Sequence, residues 1–328
     1  MTALSHRARL LVAALAAVAL TGVAVVSVRM AAGAGGTDAT PPTQANLAEG
    51  PRLQVLTNGQ LSVVSAQDPG GPRTVTAVRC DRAHAAAHVV VCLRPVEALR
   101  TTQLVVLDRD LREQRSVDLA GIPNRARVSP SGRLVAWTLF VDGHSYATGG
   151  FSTQTGILDT RSGQIVKSLE EFTVARDGQP YRAEDVNFWG VTFADDDNRF
   201  YATMSTNGHR YLVEGDLAAR TVRTLADNVE CPSLSPDGTR VAFKAAVDGD
   251  PGRGWRLSTL DLASLRATAL SETRSVDDQP AWLDNTTLAY ALQREDGTND
   301  VWSVPADGAA MPRLLVPGAN SPVFLSEA

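Results

Sequence analysis

Ser129–Trp137 reads SPSGRLVAW, and Ser235–Phe243 reads SPDGTRVAF. In both, a polar turn precedes a strand whose residues are apolar or alternate. Pro130 and Pro236 preset φ at one turn position, and Gly132 and Gly238 supply a position free to take positive φ. Two looser copies read ADDDNRFYA at Ala194–Ala202 and LDNTTLAY at Leu283–Tyr290. Repetition of this kind is the first thing to explain, because it sets the architecture.

A second half follows each copy. It is an apolar strand that usually ends in Asp, then a turn, then a further strand. Leu104–Asp108 precedes Arg115–Leu119, Gly156–Asp159 precedes Gln164–Leu169, and Tyr211–Asp216 precedes Thr221–Leu225. Leu257–Asp261 precedes Arg266–Leu270, and Val301–Pro305 precedes Pro312–Val316. Two hairpins per repeat make a four-stranded antiparallel unit, the size of a propeller blade. Five full blades fall at about residues 79–120, 121–172, 180–226, 228–271 and 275–317. Three strands remain at the front (Leu53–Leu56, Leu61–Ser65, Thr74–Val78) and one at the back, SPVFL at Ser321–Leu325. Together they predict a sixth blade built from both ends of the domain, which leaves no edge strand open. The fold class is therefore all-β: a six-bladed β-propeller closed by N- and C-terminal strands in one blade. A five-bladed ring with frayed ends is the alternative.

The repeat resembles the SPDG-type repeat of TolB-like propellers, over roughly residues 51–328. Three longer stretches are similar to a group of exported actinobacterial TolB-like translocation proteins. They are Gly150–Gly163 (GFSTQTGILDTRSG), Asn187–Thr203 (NFWGVTFADDDNRFYAT) and Val229–Lys244 (VECPSLSPDGTRVAFK). The resemblance implies a link to envelope translocation or import. TolB of Gram-negative envelopes carries an α/β domain ahead of its propeller, and this sequence has a linker there.

Three segments are expected: residues 1–34, a signal peptide or membrane anchor; residues 35–50, a flexible linker; and residues 51–328, the propeller. His6, Arg7 and Arg9 form a basic start, Leu10–Val28 is uncharged and apolar, and small residues follow at Ala31–Ala34. That is the form of an export signal. The run is also long enough to span a bilayer, so membrane attachment through Leu10–Val28 and cleavage both stay open. The linker is rich in Gly, Ala, Thr and Pro. An extracytoplasmic location permits a disulfide. Of the three cysteines, Cys80 and Cys92 would face each other across a hairpin, which leaves Cys231; three separate thiols are the alternative. Formal net charge is −5, which argues against nucleic acid as a partner.

The sequence carries no persuasive catalytic pattern. Gly150–Gln154 lacks the second glycine of a nucleophile elbow, and no H-E-x-x-H occurs. His84 and His88 have metal-ligand spacing only on a helix, and they fall in a stretch read as a β turn. Asp195–Asp197 reads as a solvated turn before it reads as a calcium site. Asp248 and Asp250 read as a flexible loop. No cofactor and no metal are expected.

Polar residues precede the first strand of each blade: Asp81, Asn124 with Arg125, Asp185 with Asn187, Glu230, and Asp277 with Asp278. Innermost strands line the channel, so these positions surround one mouth of it. A ring of acids there would attract a cationic group or a metal, with Arg125 interrupting the ring. The longest connection, Glu170–Trp189, carries Phe172, Tyr181, Arg182, Phe188 and Trp189 and is expected to help bind a partner. Asp142–Phe151, with Tyr146 and Phe151, would lie beside it. The expected function is a non-enzymatic exported scaffold, a monomer that binds an envelope protein or peptide. A metal-dependent propeller hydrolase or lactonase, using Asp185, Glu230 and Asp278, is the alternative.

Overall fold

Strands that are apolar on both faces need a neighbour on each side. The chain supplies these neighbours by stacking its sheets around an axis. The computed structural model describes residues 50–96, 101–141 and 152–325. Blade 1 holds β1 (Arg52–Thr57), β2 (Gln60–Ser65) and β3 (Arg73–Arg79). Blade 2 holds β4 (Arg82–Ala86), β5 (Val89–Val96), β6 (Thr101–Asp108) and β7 (Glu113–Ala120). Blade 3 holds β8 (Ile122–Val128), β9 (Leu134–Val141), β10 (Ser152–Asp159) and β11 (Ile165–Val166). A short hairpin, β12 (Thr173–Arg176) and β13 (Gln179–Tyr181), comes next. Blade 4 holds β14 (Asn187–Phe193), β15 (Arg199–Thr206), β16 (His209–Asp216) and β17 (Thr221–Ala226). Blade 5 holds β18 (Glu230–Leu234), β19 (Arg240–Ala246), β20 (Trp255–Asp261) and β21 (Ala267–Ala269). Blade 6 holds β22 (Ala281–Trp282), β23 (Thr287–Gln293), β24 (Asn299–Pro305) and β25 (Arg313–Val316). The last strand, β26 (Asn320–Leu325), returns to blade 1 and pairs with β1, placing Leu53 opposite Phe324 and Gln54 opposite Val323. The closure predicted from SPVFL is therefore present, and the ring has six blades.

The recurrent turns close as their chemistry requires. In the S-P-x-G copies the serine hydroxyl accepts from the backbone five residues on: Leu134 N–H to Ser129 Oγ and Arg240 N–H to Ser235 Oγ, both 3.0 Å. Gly132 and Gly238 sit at φ +77° and +69°. Asp197 takes the equivalent position in blade 4 at φ 52°, which aspartate tolerates better than most side chains. The Asp that ends each third strand also has a task. Asp108, Asp159, Asp216 and Asp261 accept backbone N–H groups of the turn that follows, at 2.8–3.0 Å.

The core is six apolar clusters, one between each pair of adjacent blades. Leu56, Leu61, Val90, Val105 and Val323 join blades 1 and 2, and Leu53, Val55, Ala289, Val301 and Val316 join blades 6 and 1. Cys80 and Cys92 lie in the first of these and are disulfide-bonded, with a Cα–Cα distance of 5.4 Å. Cys231 is free and buried.

Two expectations change. The Glu170–Trp189 connection is largely not a loop. A 3-10 turn at Leu169–Glu171 leads into β12, which pairs in parallel with β17 and widens the blade 4 sheet to six strands. Phe172 and Phe188 are buried in the blade 3–4 cluster, and Phe172 meets the Phe200 ring edge-on at 6.0 Å. The cause is apolar burial at the outer edge of blade 4. His84 lies on strand β4, not in a turn; only His88 is in the turn. Leu10–Val28, the linker and Asp142–Phe151 lie outside the described residues. Among the described residues, no helix is long and apolar enough to cross a membrane.

Closure is pinned by Asp300. Its carboxylate is held by Arg294 at 2.6 and 2.5 Å and accepts Gly318 N–H at 2.8 Å, just ahead of β26. The Arg294 hydrogen bonds hold this carboxyl below the usual carboxylate range, against a smaller opposing effect of burial. Its stabilising contribution is thus present above the unfolded-state value and lost as pH falls through the folded-state one. Asp300→Asn is expected to lower the melting temperature by roughly 2–4 °C at neutral pH. The gap to the parent should shrink steadily below about pH 4, where an unperturbed aspartate titrates. Thermal unfolding at a series of pH values checks this; a gap that stays constant on acidification contradicts it.

Candidate functional site

Every blade presents its first strand to the axis, and successive inner strands touch: β4 with β8, β8 with β14, β14 with β18, β18 with β22, β22 with β26 and β26 with β4. The channel therefore has two mouths. One lies where the chain enters the inner strands, the leading mouth. The other lies where it leaves them, the trailing mouth.

The residues expected at the leading mouth are brought there in part. Glu230 is 3% exposed and faces two cations. Arg210 Nε lies 2.6 Å from Oε1, an ion pair without hydrogen-bond alignment, and Lys244 Nζ lies 3.4 Å from Oε2. Burial pushes the Glu230 carboxyl up, and Lys244 and Arg210 offset part of that push. Lys244 also pairs with Asp277 and lies 4.1 Å from the Trp255 ring centroid. Burial would raise the Asp277 carboxyl, yet Lys244 holds it below the usual range. Asp278 accepts Ala291 N–H at 3.0 Å and faces the channel. Arg125 is 9% exposed, lines the channel and donates to the Asn124 carbonyl at 2.9 Å. Asp81 is exposed, with burial nonetheless raising its carboxyl against Arg82 and Arg79. The acids at this mouth are matched by Arg82, Arg125, Arg210 and Lys244, so they do not form the negative ring that strand order suggests.

Other expected residues go elsewhere. Asp185 caps the β15–β16 turn through Thr206 Oγ1 at 2.7 Å and the Asn207 N–H. Tyr181 joins that group: its hydroxyl meets Thr206 Oγ1 at 2.8 Å, and Arg176 stacks on its ring at 4.2 Å. Asn187 is buried and accepts from Thr153 of blade 3 at 2.5 Å, and Trp189 is 5% exposed within β14. Arg182 is exposed. Asp185, Glu230 and Asp278, the acids a metal hydrolase would need together, are held by different partners. Among the described residues no three His, Cys, Asp or Glu side chains cluster where they could hold a metal ion. In Asp195–Asp197, Asp196 caps its own turn at Asn198 and Arg199. Asp197 reaches across to Ser129 and Ser131 of blade 3 at 3.0 and 2.6 Å.

The larger cavity opens at the trailing mouth. It holds about 590 Å3 and draws residues from all six inner strands. That volume suits a ligand or a short stretch of chain. His84, Phe193, Leu234, Trp282 and Phe324 line its apolar walls, and Arg109, His88, Asp195 and Asp284 sit on its rim. The S-P-x-G turns form part of that rim through Pro130 and Pro236. Links between blades hold the rim in shape: Asp197 to Ser129 and Ser131, and Asp237 N–H to Asn285 Oδ1 at 3.0 Å. Sequence reading missed this funnel. Its sole signal in the sequence is the repeat turn itself, which marks the fold rather than a site.

The leading-mouth cluster gives a direct test. Lys244→Met leaves Glu230 buried beside Arg210 alone and is expected to cost about 3 kcal/mol in urea unfolding. Adding Glu230→Gln removes the stranded charge and should recover part of that loss. Two strictly additive losses would rule out the coupling.

No family model matches the chain. Among curated proteins, a TolB homolog from Chlorobium luteolum is 38% identical over 77 residues, 24% of this chain and 16% of that protein. The chain thus matches only a small part of that relative's length. TolB from Acinetobacter baumannii superposes with TM-score 0.61 at 15% identity, covering 84% of this chain and 67% of that one. A putative TolB from Agrobacterium tumefaciens gives 0.51 at 11%, covering 81% and 88%. A chain of a nidogen/laminin complex gives 0.57 at 13%, covering 85% and 100%. The chain is a six-bladed β-propeller of TolB-like fold.

Proposed function

We propose that this chain is an extracytoplasmic binding scaffold that captures a protein or peptide segment in the trailing-mouth funnel, without catalysing a reaction. The funnel carries the reading. Rigid strands from six blades supply an apolar floor, and charged residues from the turns surround it. Side chains fixed on strands hold their positions with little entropy left to lose, which favours binding. The Cys80–Cys92 disulfide supports an oxidising compartment, as does the export-like start of the sequence. The TolB-like fold supports an envelope partner, and a similar fold occurs in a nidogen/laminin complex, where proteins associate. The proposed working state is a monomer. Leu10–Val28 would either direct export or hold the domain at the membrane.

Leu234 and Leu283 are half-buried and line the funnel, each at the edge of an interblade cluster, so thermal unfolding of a variant there is compared with the parent before retention is read. Immobilised full-length chain is expected to retain a partner from an envelope fraction. Leu234→Asp with Leu283→Asp should weaken that retention at least tenfold, because burying unpaired charge at an interface is costly. Arg220→Ala, an exposed change on blade 4, should leave it intact. Equal retention by parent and funnel variant would refute the funnel as the binding surface.

A further inference from the structure

Below the funnel the channel narrows past His84, Arg127, Ala281 and Val323 into a small cavity of about 40 Å3. That is room for two or three waters or a small ion, since one water needs roughly 10–15 Å3. Three guanidiniums line it: Arg82 from β4, and Arg125 and Arg127 from β8. Asp278 is the single carboxylate in the lining. Among the described residues the hydrogen-bond acceptors of these three arginines are neutral, while Asp278 acts on all three electrostatically and Asp277 on Arg82 and Arg125. Arg82 Nε donates to the Asn124 carbonyl at 2.7 Å, as does Arg125 Nη1 at 2.9 Å. Arg127 Nη2 reaches only Ser233 Oγ, at 3.4 Å.

Donors outnumber acceptors here. The Nε groups of Arg125 and Arg127 are buried and have no acceptor. His84 adds a second deficit. Its Nδ1 faces the Val128 N–H at 3.2 Å and its Nε2 faces Arg127 Nη1 at 2.9 Å. Both neighbours can only donate, and a neutral imidazole offers one acceptor nitrogen. Whichever tautomer forms, one N–H points at another. Buried donors without acceptors, in a cavity with an excess of positive charge, describe a site built for an anion. Burial, with Arg125 adding to it, lowers the Arg82 guanidinium, and burial lowers that of Arg127 to about 10; burial would lower Arg125 too, but Cys231, Asp278 and Asp277 hold it above its ordinary value.

We propose that Arg82, Arg125 and Arg127 form a carboxylate-binding site at the waist of the channel. A guanidinium presents parallel N–H groups that match the two oxygens of a carboxylate, and the cavity adjoins the funnel across His84, Arg127, Ala281 and Val323. The carboxylate comes either from a small free acid or from the end of a peptide chain reaching down the funnel. The site stands on the arginines and does not require the funnel to hold a protein.

Titration calorimetry of the full-length chain with sodium acetate in chloride-free buffer tests the site. So does titration with tetra-alanine bearing a free or an amidated C-terminus. Saturable binding of acetate is expected, weakened about tenfold by Arg127→Gln, the scale of one charge-assisted hydrogen bond. Asp278→Asn removes the competing negative charge and should tighten binding, a gain that damage to the fold would not produce. Acetate binding without peptide binding assigns the site to a free acid. Binding of the free-terminus peptide but not the amidated one assigns it to a chain end. Absence of saturable binding by both acetate and the free-terminus peptide in the parent chain overturns the proposal. Equal binding of the amidated peptide overturns it too.

Discussion

The structure depends on apolar contact between neighbouring sheets, made continuous by one strand pairing. Each blade is apolar on both faces and cannot bury both alone. The last strand, β26, returns to pair with β1, setting Phe324 against the cluster between blades 6 and 1 and Val323 and Leu325 into the cluster between blades 1 and 2. Without that pairing, two apolar faces and a row of backbone donors and acceptors would meet water. Asp300, which binds Gly318 N–H at the approach to β26, and the Cys80–Cys92 bridge beside the same seam both reinforce this join.

Closure also places charge in an unusual setting. Inner strands bring polar residues from different blades close together beside the channel, many of them buried. A charge there must find a partner, because a partly dry interior makes isolation costly. Glu230 finds Arg210 and Lys244, and Lys244 finds Asp277. The three channel arginines hydrogen-bond only to neutral acceptors, with Asp278 and Asp277 as the nearby acids. The two ends of the channel thus differ in kind: balanced ion pairs at the leading mouth, and apolar walls with a basic waist toward the trailing mouth.

Much of the fold was legible because turns and alternation are local. The S-P-x-G turns, the Asp that ends each third strand and the leftover SPVFL segment each carry their reason within a few residues. The site was less legible for a physical cause. Strand order places Asp81, Asp185, Glu230 and Asp277 near one rim, but their partners come from second strands and other blades. Lys244 lies on β19 and Arg210 on β16, and no local pattern ties either to Glu230. The funnel was hidden by the opposite problem. Phe193, Leu234 and Trp282 obey the same alternation as core residues, and sequence does not distinguish an apolar side chain facing a neighbour from one facing an opening. Likewise the hairpin β12–β13 looked like a loop because its strands are short and find their partner, β17, far along the chain.

By itself, the sequence determined the all-β class and the four-stranded repeat, and it favoured a shared sixth blade over a five-bladed ring while leaving the Cys80–Cys92 bridge open against separate thiols. Those features follow from interactions between residues near in sequence, or from counting what is left over. Tertiary structure alone decided which charges are neutralised, which apolar residues line a cavity and where the arginines converge. Each of these is fixed by which strand ends share the axis, and that arrangement exists only once the ring has closed.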